Sequence, residues 1–413
     1  MTASRVTARF IGSQGVELAG RLDLPTGPPR ATVVFAHCFT CGKDLRSASR
    51  IAAGLTEHGF AVLRFDMTGL GGSDGDFANT DLSSNVADLV AAANWLSEHH
   101  QAPQLLVGHS LGGAAAILAA ASLESVRAVV TIGAPADADH LTHLFGGVTE
   151  QIDTEGRAPV TIAGRSFTIR SEFLEDLERH RVREAAGTLR RALLVLHSPI
   201  DEVVGVDHAA ELYRAARHPK SFVALDGADH LLSDPRDAQF AAAVIATWAE
   251  RYVLADQVAL DPPSPTAQVV VAETGLGAFH NHVVSGRHRF VADEPEAVGG
   301  FDAGPSPYDL LAAALGTCTT MTLRMYADRK DLDVTRISVE VSHDKVHASE
   351  VSETVAERSG GRPVDRFTRT ISIEGDLDAA TLERMVEIAD RCPVHRTLEQ
   401  SSVIETGLAE AGS

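Results

Sequence analysis

The fold of this chain is decided by the stretch Leu105-Leu106-Val107-Gly108-His109-Ser110-Leu111-Gly112-Gly113, which leads into the alanine-rich segment 114–121. The apolar run is typical of a buried strand, and the alanine-rich segment is typical of a helix. Glycine tolerates the crowded backbone of a sharp turn, and the first N–H groups of the helix can face an anion that forms on a substrate. The pattern G-x-S-x-G therefore predicts that Ser110 is a nucleophile at a strand-to-helix turn, with a structural turn serine as the alternative.

Two later residues complete this chemistry. Asp201 follows the apolar segment 192–197, and His230 follows the predicted strand 221–225. The order Ser, Asp, His is the one expected when the nucleophile sits on such a turn. His230 would take the proton from Ser110 and pass it to the leaving group, while Asp201 would fix the tautomer of the imidazole. Other aspartates remain alternatives for the orienting acid, namely Asp207, Asp226 and Asp229.

Strands and helices alternate around these residues. This rhythm predicts right-handed crossovers and a mainly parallel sheet with helices on both faces. A β-hairpin over 5–11 and 17–23 precedes it. The segment 136–187 breaks the rhythm and predicts a cap over the carboxyl ends of the strands, where ligands bind in such sheets. Further predicted strands are 31–36, 61–65, 128–132, 192–197 and 221–225, and predicted helices are 47–58, 81–99, 206–215 and 237–252.

The length and net charge of the chain limit the classes of protein to which it can belong. A chain of 413 residues favours two domains, and a net charge of −20 argues against nucleic-acid binding.

The N-terminus lacks the apolar core of a signal peptide, and the apolar window 105–123 contains His109 and Ser110, which argues against a membrane span. Four cysteines do not make a disulfide scaffold, so a reducing cytoplasm is expected. They are Cys38, Cys41, Cys318 and Cys392.

Residues 1–254 resemble the α/β-hydrolases on the strength of these motifs. The resemblance implies a small-molecule acyl substrate, no cofactor, and an oxyanion hole formed by the N–H groups of Leu111 and Phe39. In this chain Cys38 stands where glycine is usual in the family. The pair Cys38 and Cys41 has redox and metal-binding alternatives, but neither further zinc ligands nor a thioredoxin-like frame accompanies it. The glycine-rich segment 71–75 predicts a turn rather than a phosphate cradle.

The proline-rich segment 261–265 predicts a linker over 255–268 and a second, α+β domain over 269–413. A long helix is predicted from Ser306 to about Lys330, and it is apolar on almost every face through its first half. Such a helix is typical of a core or a dimer interface. Predicted strands are 268–272, 279–284, 288–292, 335–346 and 366–374, with a helix over 379–391.

The second domain resembles the OsmC-like proteins, which include thiol peroxidases. The resemblance rests on Asp293-Glu294-Pro295, the segment 304–311, the mid-helix Cys318 and the segment Cys392-Pro393-Val394-His395. It implies an intertwined homodimer in which Cys318 is the peroxidatic thiolate and Cys392 the resolving thiol. The partners would be an organic hydroperoxide and a thiol reductant.

Peroxidatic members of that family supply an arginine from an early strand and a glutamate near the start of the cysteine helix. Here Tyr308 stands at the expected glutamate position, with Asp309 beside it, and Arg287 and Arg289 are the candidate arginines. The alternative for Cys318 is a small buried hydrophobic residue. His280 and His282 share a strand face but have no third ligand at a recognisable spacing, so no metal is predicted.

The sequence thus predicts a cytoplasmic serine hydrolase of carboxylic esters or related acyl compounds, fused to an OsmC-like domain. One alternative makes the second domain the main enzyme, a two-cysteine organic hydroperoxide reductase. Another makes it a dimeriser without catalytic activity.

Overall fold

The computed structural model describes residues 4–37, 42–137, 149–162, 165–254, 262–264, 267–347, 350, 362–400 and 402–408. The chain divides into unit 1, Met1–Ala259, and unit 2, Leu260–Ser413. Most of the predicted linker lies outside the described residues. Each unit is described by itself below.

Unit 1 is built around one sheet. The described strands of unit 1 are Ser4–Ile11 (β1), Glu17–Leu24 (β2), Ala31–Ala36 (β3), Phe60–Phe65 (β4), Leu105–His109 (β5), Ala128–Ile132 (β6), Arg157–Ile162 (β7), Arg165–Arg170 (β8), Ala192–His197 (β9) and Lys220–Ala224 (β10). The strand order in the sheet is β1-β2-β4-β3-β5-β6-β9-β10. The β1–β2 and β2–β4 pairs of this sheet are antiparallel, and its other pairs are parallel. The prediction of a mostly parallel sheet that follows a hairpin is therefore confirmed.

Helices cover both faces of this sheet, so its central strands are apolar at nearly every position. Successive residues of β5 show the arrangement, because Leu106 packs into one core and Leu105 and Val107 into the core on the opposite face. Every residue of β3, β4, β5, β6 and β9 is buried. The helices of unit 1 are Arg46–Glu57 (α1), Leu82–His99 (α2), Leu111–Ala119 (α3), Thr149–Glu155 (α4), Ser171–Arg179 (α5), Val182–Thr188 (α6), Asp207–Ala215 (α7) and Pro235–Val253 (α8).

The described part of the segment between β6 and β9 holds the hairpin β7–β8 and the helices α4, α5 and α6. Apolar residues anchor it, since Ile152, Phe173 and Leu177 belong to the core that also contains Leu106. Polar contacts add to this, because Ser83 on α2 donates its backbone N–H and its hydroxyl to the carboxylate of Asp176 on α5, at 2.9 and 2.6 Å. The described part of the predicted cap is thus fastened to α2.

Unit 2 contains a three-stranded and a two-stranded antiparallel sheet with helices against them. Among the described residues of both units, no helix is both long and apolar enough to cross a bilayer. The elements of unit 2 are Val270–Glu273 (β11), Asn281–Ser285 (β12), His288–Ala292 (β13), Pro307–Arg329 (α9), Val334–Val346 (β14), Val364–Gly375 (β15), Ala379–Ala389 (α10) and Pro393–Glu399 (α11).

The long helix α9 has one buried face among the described residues of unit 2. Leu323 and Ala327 pack with Met385 of α10 in the core of unit 2. On another face Met321 is 62% exposed and Met325 is 73% exposed. A core position therefore explains part of the apolar pattern of this helix, and the dimer interface stays a prediction for the rest.

Candidate active site

The predicted nucleophile Ser110 lies at the turn between β5 and α3. Its φ of 56° and ψ of −126° fall in a region that side chains rarely adopt, at a cost of about 1–3 kcal/mol. The surrounding glycines make the turn possible. A Cβ on Gly108 would lie 2.2 Å from the Gly112 carbonyl oxygen, and one on Gly112 would lie 2.4 Å from the His37 carbonyl oxygen. The motif is therefore a steric requirement of this turn.

The helix that follows supplies a donor for an anion. Leu111 is the first residue of α3, and the first N–H groups of a helix have no acceptor within it. They also carry the positive end of the helix dipole. Ser110 itself is 6% exposed. The second predicted oxyanion donor, Phe39, lies outside the described residues, as do Cys38 and Cys41.

Asp201 is the aspartate that contacts His230. Its Oδ2 lies 2.8 Å from His230 Nδ1, and its Oδ1 accepts the backbone N–H groups of Val203 and Val204, each at 2.9 Å. Burial raises the pKa of Asp201, but the hydrogen bonds from His230 and these N–H groups outweigh it and lower the pKa below the usual 3.8. The carboxylate is thus ionised near neutral pH. It can accept a hydrogen bond from Nδ1–H of His230, which leaves Nε2 unprotonated and able to act as a base.

The strand ends bring Ser110 and this Asp–His pair into one neighbourhood. Ser110 donates its backbone N–H to the Ile132 carbonyl oxygen at 2.8 Å, at the end of β6. At the next residue, Gly133, a Cβ would lie 3.2 Å from Asp201 Oδ2 and 3.3 Å from His230 Nδ1. Ser110, Asp201 and His230 are far apart in sequence, and these contacts place all three around Gly133 at the carboxyl edge of the sheet.

Two further histidines fix the backbone of this site, and the sequence analysis missed both. His109 is 3% exposed, its Nε2 lies 2.7 Å from the His230 carbonyl oxygen, and the two rings are 5.1 Å apart. Burial lowers the pKa of His109 to about 3, so the ring is neutral and donates from Nε2. His197 is fully buried, with Nε2 2.8 Å from the Val204 carbonyl oxygen. A histidine that ends an apolar strand just before a functional loop was the available signal.

Asp66 organises the glycine-rich segment near the site. Its carboxylate accepts the Nζ and the backbone N–H of Lys43, each at 2.6 Å, and the N–H of Gly72 at 2.8 Å. Burial raises the pKa of Asp66, but these donors lower it overall. Because Asp66 already occupies a backbone N–H of this segment, the prediction of a structural turn there fits the observed contacts.

A cavity of about 410 Å³ opens beside His230. Ile200 and Val203 on its wall are 62% and 38% exposed. The other lining residues are Glu202, Gly227, Asp229 and Leu231. The cavity is thus part apolar and part acidic.

In unit 2, Cys318 and Cys392 are both free thiols. Cys318 is half-buried and lines a cavity of about 1190 Å³, whose wall also includes Met321 and Arg391. Cys392 is fully buried and precedes α11, where its Sγ accepts the N–H of His395 at 3.3 Å and lies 3.8 Å from Thr319 Oγ1. The Cys392 thiol therefore contacts the residue of α9 that follows Cys318 directly.

An arginine that the sequence analysis missed lies behind Cys392. Arg369 on β15 donates from Nη1 to Thr319 Oγ1 at 2.9 Å, and from Nη2 to Asp390 and His395, each at 2.8 Å. Nothing in its local sequence marks it, because only the packing of β15 against α9 and α11 brings it there. The predicted candidates, Arg287 and Arg289, are both exposed.

The residues at the start of α9 have structural partners. Asp309 closes a capping box with Ser306, whose hydroxyl donates to it at 2.7 Å. The ring of Tyr308 stacks on that of His343, with the centroids 4.1 Å apart. His280 contacts Thr274 Oγ1 through Nδ1 at 2.8 Å. Within the part of the chain that the structure describes, no group of three or more His, Cys, Asp or Glu residues could hold a metal ion.

The comparisons with known proteins treat the two units separately. The family model described as "Serine aminopeptidase, S33" matches residues 27–161, and that of the OsmC-like proteins matches residues 300–407. The crystal structure of an esterase domain from a Rhodothermus marinus protein is 46% identical to this chain and has a TM-score of 0.51. The match covers 60% of this chain and 99% of that domain.

Curated relatives match over shorter lengths. The mitochondrial palmitoyl-protein thioesterase ABHD10 of Mus musculus is 30% identical over 152 residues, which are 35% of this chain and 50% of the relative. The monoglyceride lipase of Rattus norvegicus is 31% identical over 114 residues, which are 27% of this chain and 37% of the relative. The chain thus spans about half the length, or less, of these curated relatives.

Proposed function

Since the chain belongs to the α/β-hydrolases through unit 1 and carries an OsmC-like domain in unit 2, we propose that unit 1 is a serine hydrolase of carboxylic esters or thioesters. The observation that carries this proposal is the Asp201–His230 pair, whose side chains are 2% and 9% exposed, beside the strained turn of Ser110. A buried carboxylate that orients a histidine next to a serine is the arrangement that activates a hydroxyl as a nucleophile. The Rhodothermus marinus esterase domain supports the choice of esters.

In this mechanism Ser110 Oγ attacks the carbonyl carbon while His230 Nε2 takes the hydroxyl proton. The electron pair of the C=O bond moves to oxygen, where the N–H of Leu111 and the predicted N–H of Phe39 stabilise it. Collapse of the intermediate breaks the bond to the leaving group, which takes the proton from His230. Water then attacks acyl-Ser110 by the same steps and releases the acid.

The test uses the full-length chain, a chromogenic ester and a fluorophosphonate that labels activated serines. Ser110→Ala is expected to abolish labelling and to lower kcat by about 10⁶-fold. Ser122→Ala is the matched control, because this serine is exposed and, among the described residues, its hydroxyl donates to the Ala119 carbonyl oxygen alone. Retained labelling and turnover in Ser110→Ala would rule out the mechanism.

A second proposed activity belongs to unit 2, in which Cys318 faces the large cavity close to the Cys392 loop. The Cys318 thiolate would attack an organic hydroperoxide, break the O–O bond, release the alcohol and become a sulfenic acid. The Cys392 thiol would displace water from it to form a disulfide, which a thiol reductant would reduce. The two activities together would make the chain bifunctional. A chain of this length with four cysteines suits a reducing cytoplasm.

This activity is tested in a Cys38→Ser, Cys41→Ser background, in which only the two thiols of unit 2 remain. Cumene hydroperoxide is expected to oxidise both to one disulfide, and Cys318→Ser is expected to prevent it. Two free thiols after peroxide treatment would refute the proposed peroxidase.

The exposed apolar face of α9 supports a homodimer formed through unit 2, with or without peroxidase activity. Sedimentation of the full-length chain is expected to give the mass of a dimer, and Met325→Lys is expected to weaken it. A wild-type monomer at micromolar concentration would contradict this.

A further inference from the structure

The cavity beside His230 has no role in the catalytic steps proposed above. It is bounded by the loops 200–203 and 227–231, which carry Asp201 and His230. Its volume of about 410 Å³ lies at the lower end of the range of small-molecule pockets. The site therefore has room for one compact substituent of a substrate next to His230, the general base.

The position of the cavity indicates which part of a substrate it holds. A general acid must lie within hydrogen-bond distance of the atom that it protonates. In the proposed mechanism His230 protonates the departing oxygen or sulfur. A substituent that extends along the His230 side of the site therefore belongs to the leaving group, while the acyl group is bonded to Ser110.

The walls of the cavity define the chemistry that suits it. Ile200, Val203 and Leu231 offer apolar contact, whereas Glu202 and Asp229 supply two exposed carboxylates. Asp229 Oδ1 accepts the N–H of Ser233 at 2.8 Å, and its Oδ2 has no such contact among the described residues. The described lining includes no lysine or arginine.

We propose that this cavity is a leaving-group site that selects compact apolar alcohols or thiols that are neutral or cationic, and that rejects anionic ones. The inference rests on the proposed hydrolase activity. Each of the two carboxylates acts on a charged substituent about 7 Å away, across mostly aqueous surroundings, and changes kcat/KM about threefold at low salt. The two carboxylates together change kcat/KM about tenfold.

The test compares three phenyl acetates that share one acyl group. Their leaving groups carry 4-trimethylammonio, 4-tert-butyl or 4-sulfonato substituents, and the first two are nearly isosteric but differ by one charge. The readout is the ratio of kcat/KM for the cationic ester to that for the neutral ester. Comparing this ratio between enzyme variants cancels the intrinsic reactivity of the esters.

The double variant Glu202→Gln, Asp229→Asn is expected to lower this ratio about tenfold relative to wild type, and the anionic ester is expected to gain. The control Glu124→Gln removes an exposed carboxylate just before β6, at the opposite edge of the sheet, and is expected to leave the ratio unchanged. An unchanged ratio in the double variant, or an equal change in the control, would overturn the inference.

A second measurement needs no variant. The wild-type ratio is expected to fall severalfold between about 10 mM and 0.5 M salt, because screening weakens exposed charges. A ratio independent of salt would also overturn the inference. If wild type hydrolysed none of the three esters, the proposed hydrolase activity would be refuted instead, and the leaving-group site with it.

Discussion

Replacing His109 by glutamine is expected to make the stability of unit 1 less sensitive to acid. In the folded chain His109 is 3% exposed and neutral, with a pKa of about 3, whereas its usual value is 6.5. Between these two values the unfolded chain binds a proton that the folded chain does not. The stabilisation is therefore complete above pH 6.5 and is lost as the pH falls towards 3.

The magnitude follows from the same two values. From pH 6.5 to pH 5 the wild-type chain loses about 1.4 kcal/mol per pH unit at this residue, or about 2 kcal/mol in all. Glutamine does not titrate, and its amide can still donate to the His230 carbonyl oxygen. The free energy of unfolding of His109→Gln is thus expected to fall by about 2 kcal/mol less than that of wild type between pH 7 and pH 5.

The assay is urea unfolding followed by tryptophan fluorescence. Both tryptophans of the chain, Trp95 and Trp248, lie in unit 1, so the signal reports on this unit in the intact protein. Contributions from Asp201 and His197 are common to both proteins and cancel. His58→Gln, at an exposed histidine, is the control and is expected to follow wild type. Equal losses in wild type and His109→Gln would refute the burial of a neutral His109.

Two other variants test the packing around the site. Gly108→Ala is expected to cost about 3 kcal/mol or more in urea unfolding, because its Cβ would lie 2.2 Å from the backbone of Gly112. Gly205→Ala should cost below about 0.5 kcal/mol, because its Cβ would meet no atom of a described residue within 4 Å beyond its two chain neighbours. Lys43→Met is expected to cost about 3 kcal/mol, since it leaves the buried carboxylate of Asp66 without its cation. Alanine tolerated at 108, or a neutral effect at 43, would contradict these contacts.

Much of unit 1 could be predicted because its central strands are buried on both faces. A strand of this kind is a continuous apolar run, and the helices between such runs end at recognisable residues such as Gly59. The predicted strand 128–132 has the observed bounds, and most other elements agree within two residues. The serine motif could also be predicted from the local sequence, because the turn requires glycine at positions 108 and 112 for steric reasons.

Contacts between distant segments could not be predicted in the same way. Four aspartates were candidates for the partner of His230, and only the distance of 2.8 Å identifies Asp201 as the one in contact. Arg369 reaches the Cys392 loop through packing that no local pattern records. The helix α11 was not predicted, because seven residues are too few to show a helical period.

The crowding at the glycines of the serine turn also bears on how this protein could be given a new substrate. A library that varies Gly108, Gly112 or Gly113 would consist mostly of unfolded members, because each added Cβ would meet an atom within 2.6 Å. The exposed positions 200, 202 and 203 carry no such steric demand. A library for directed evolution should therefore vary positions 200, 202 and 203 and keep the glycines of the serine turn unchanged.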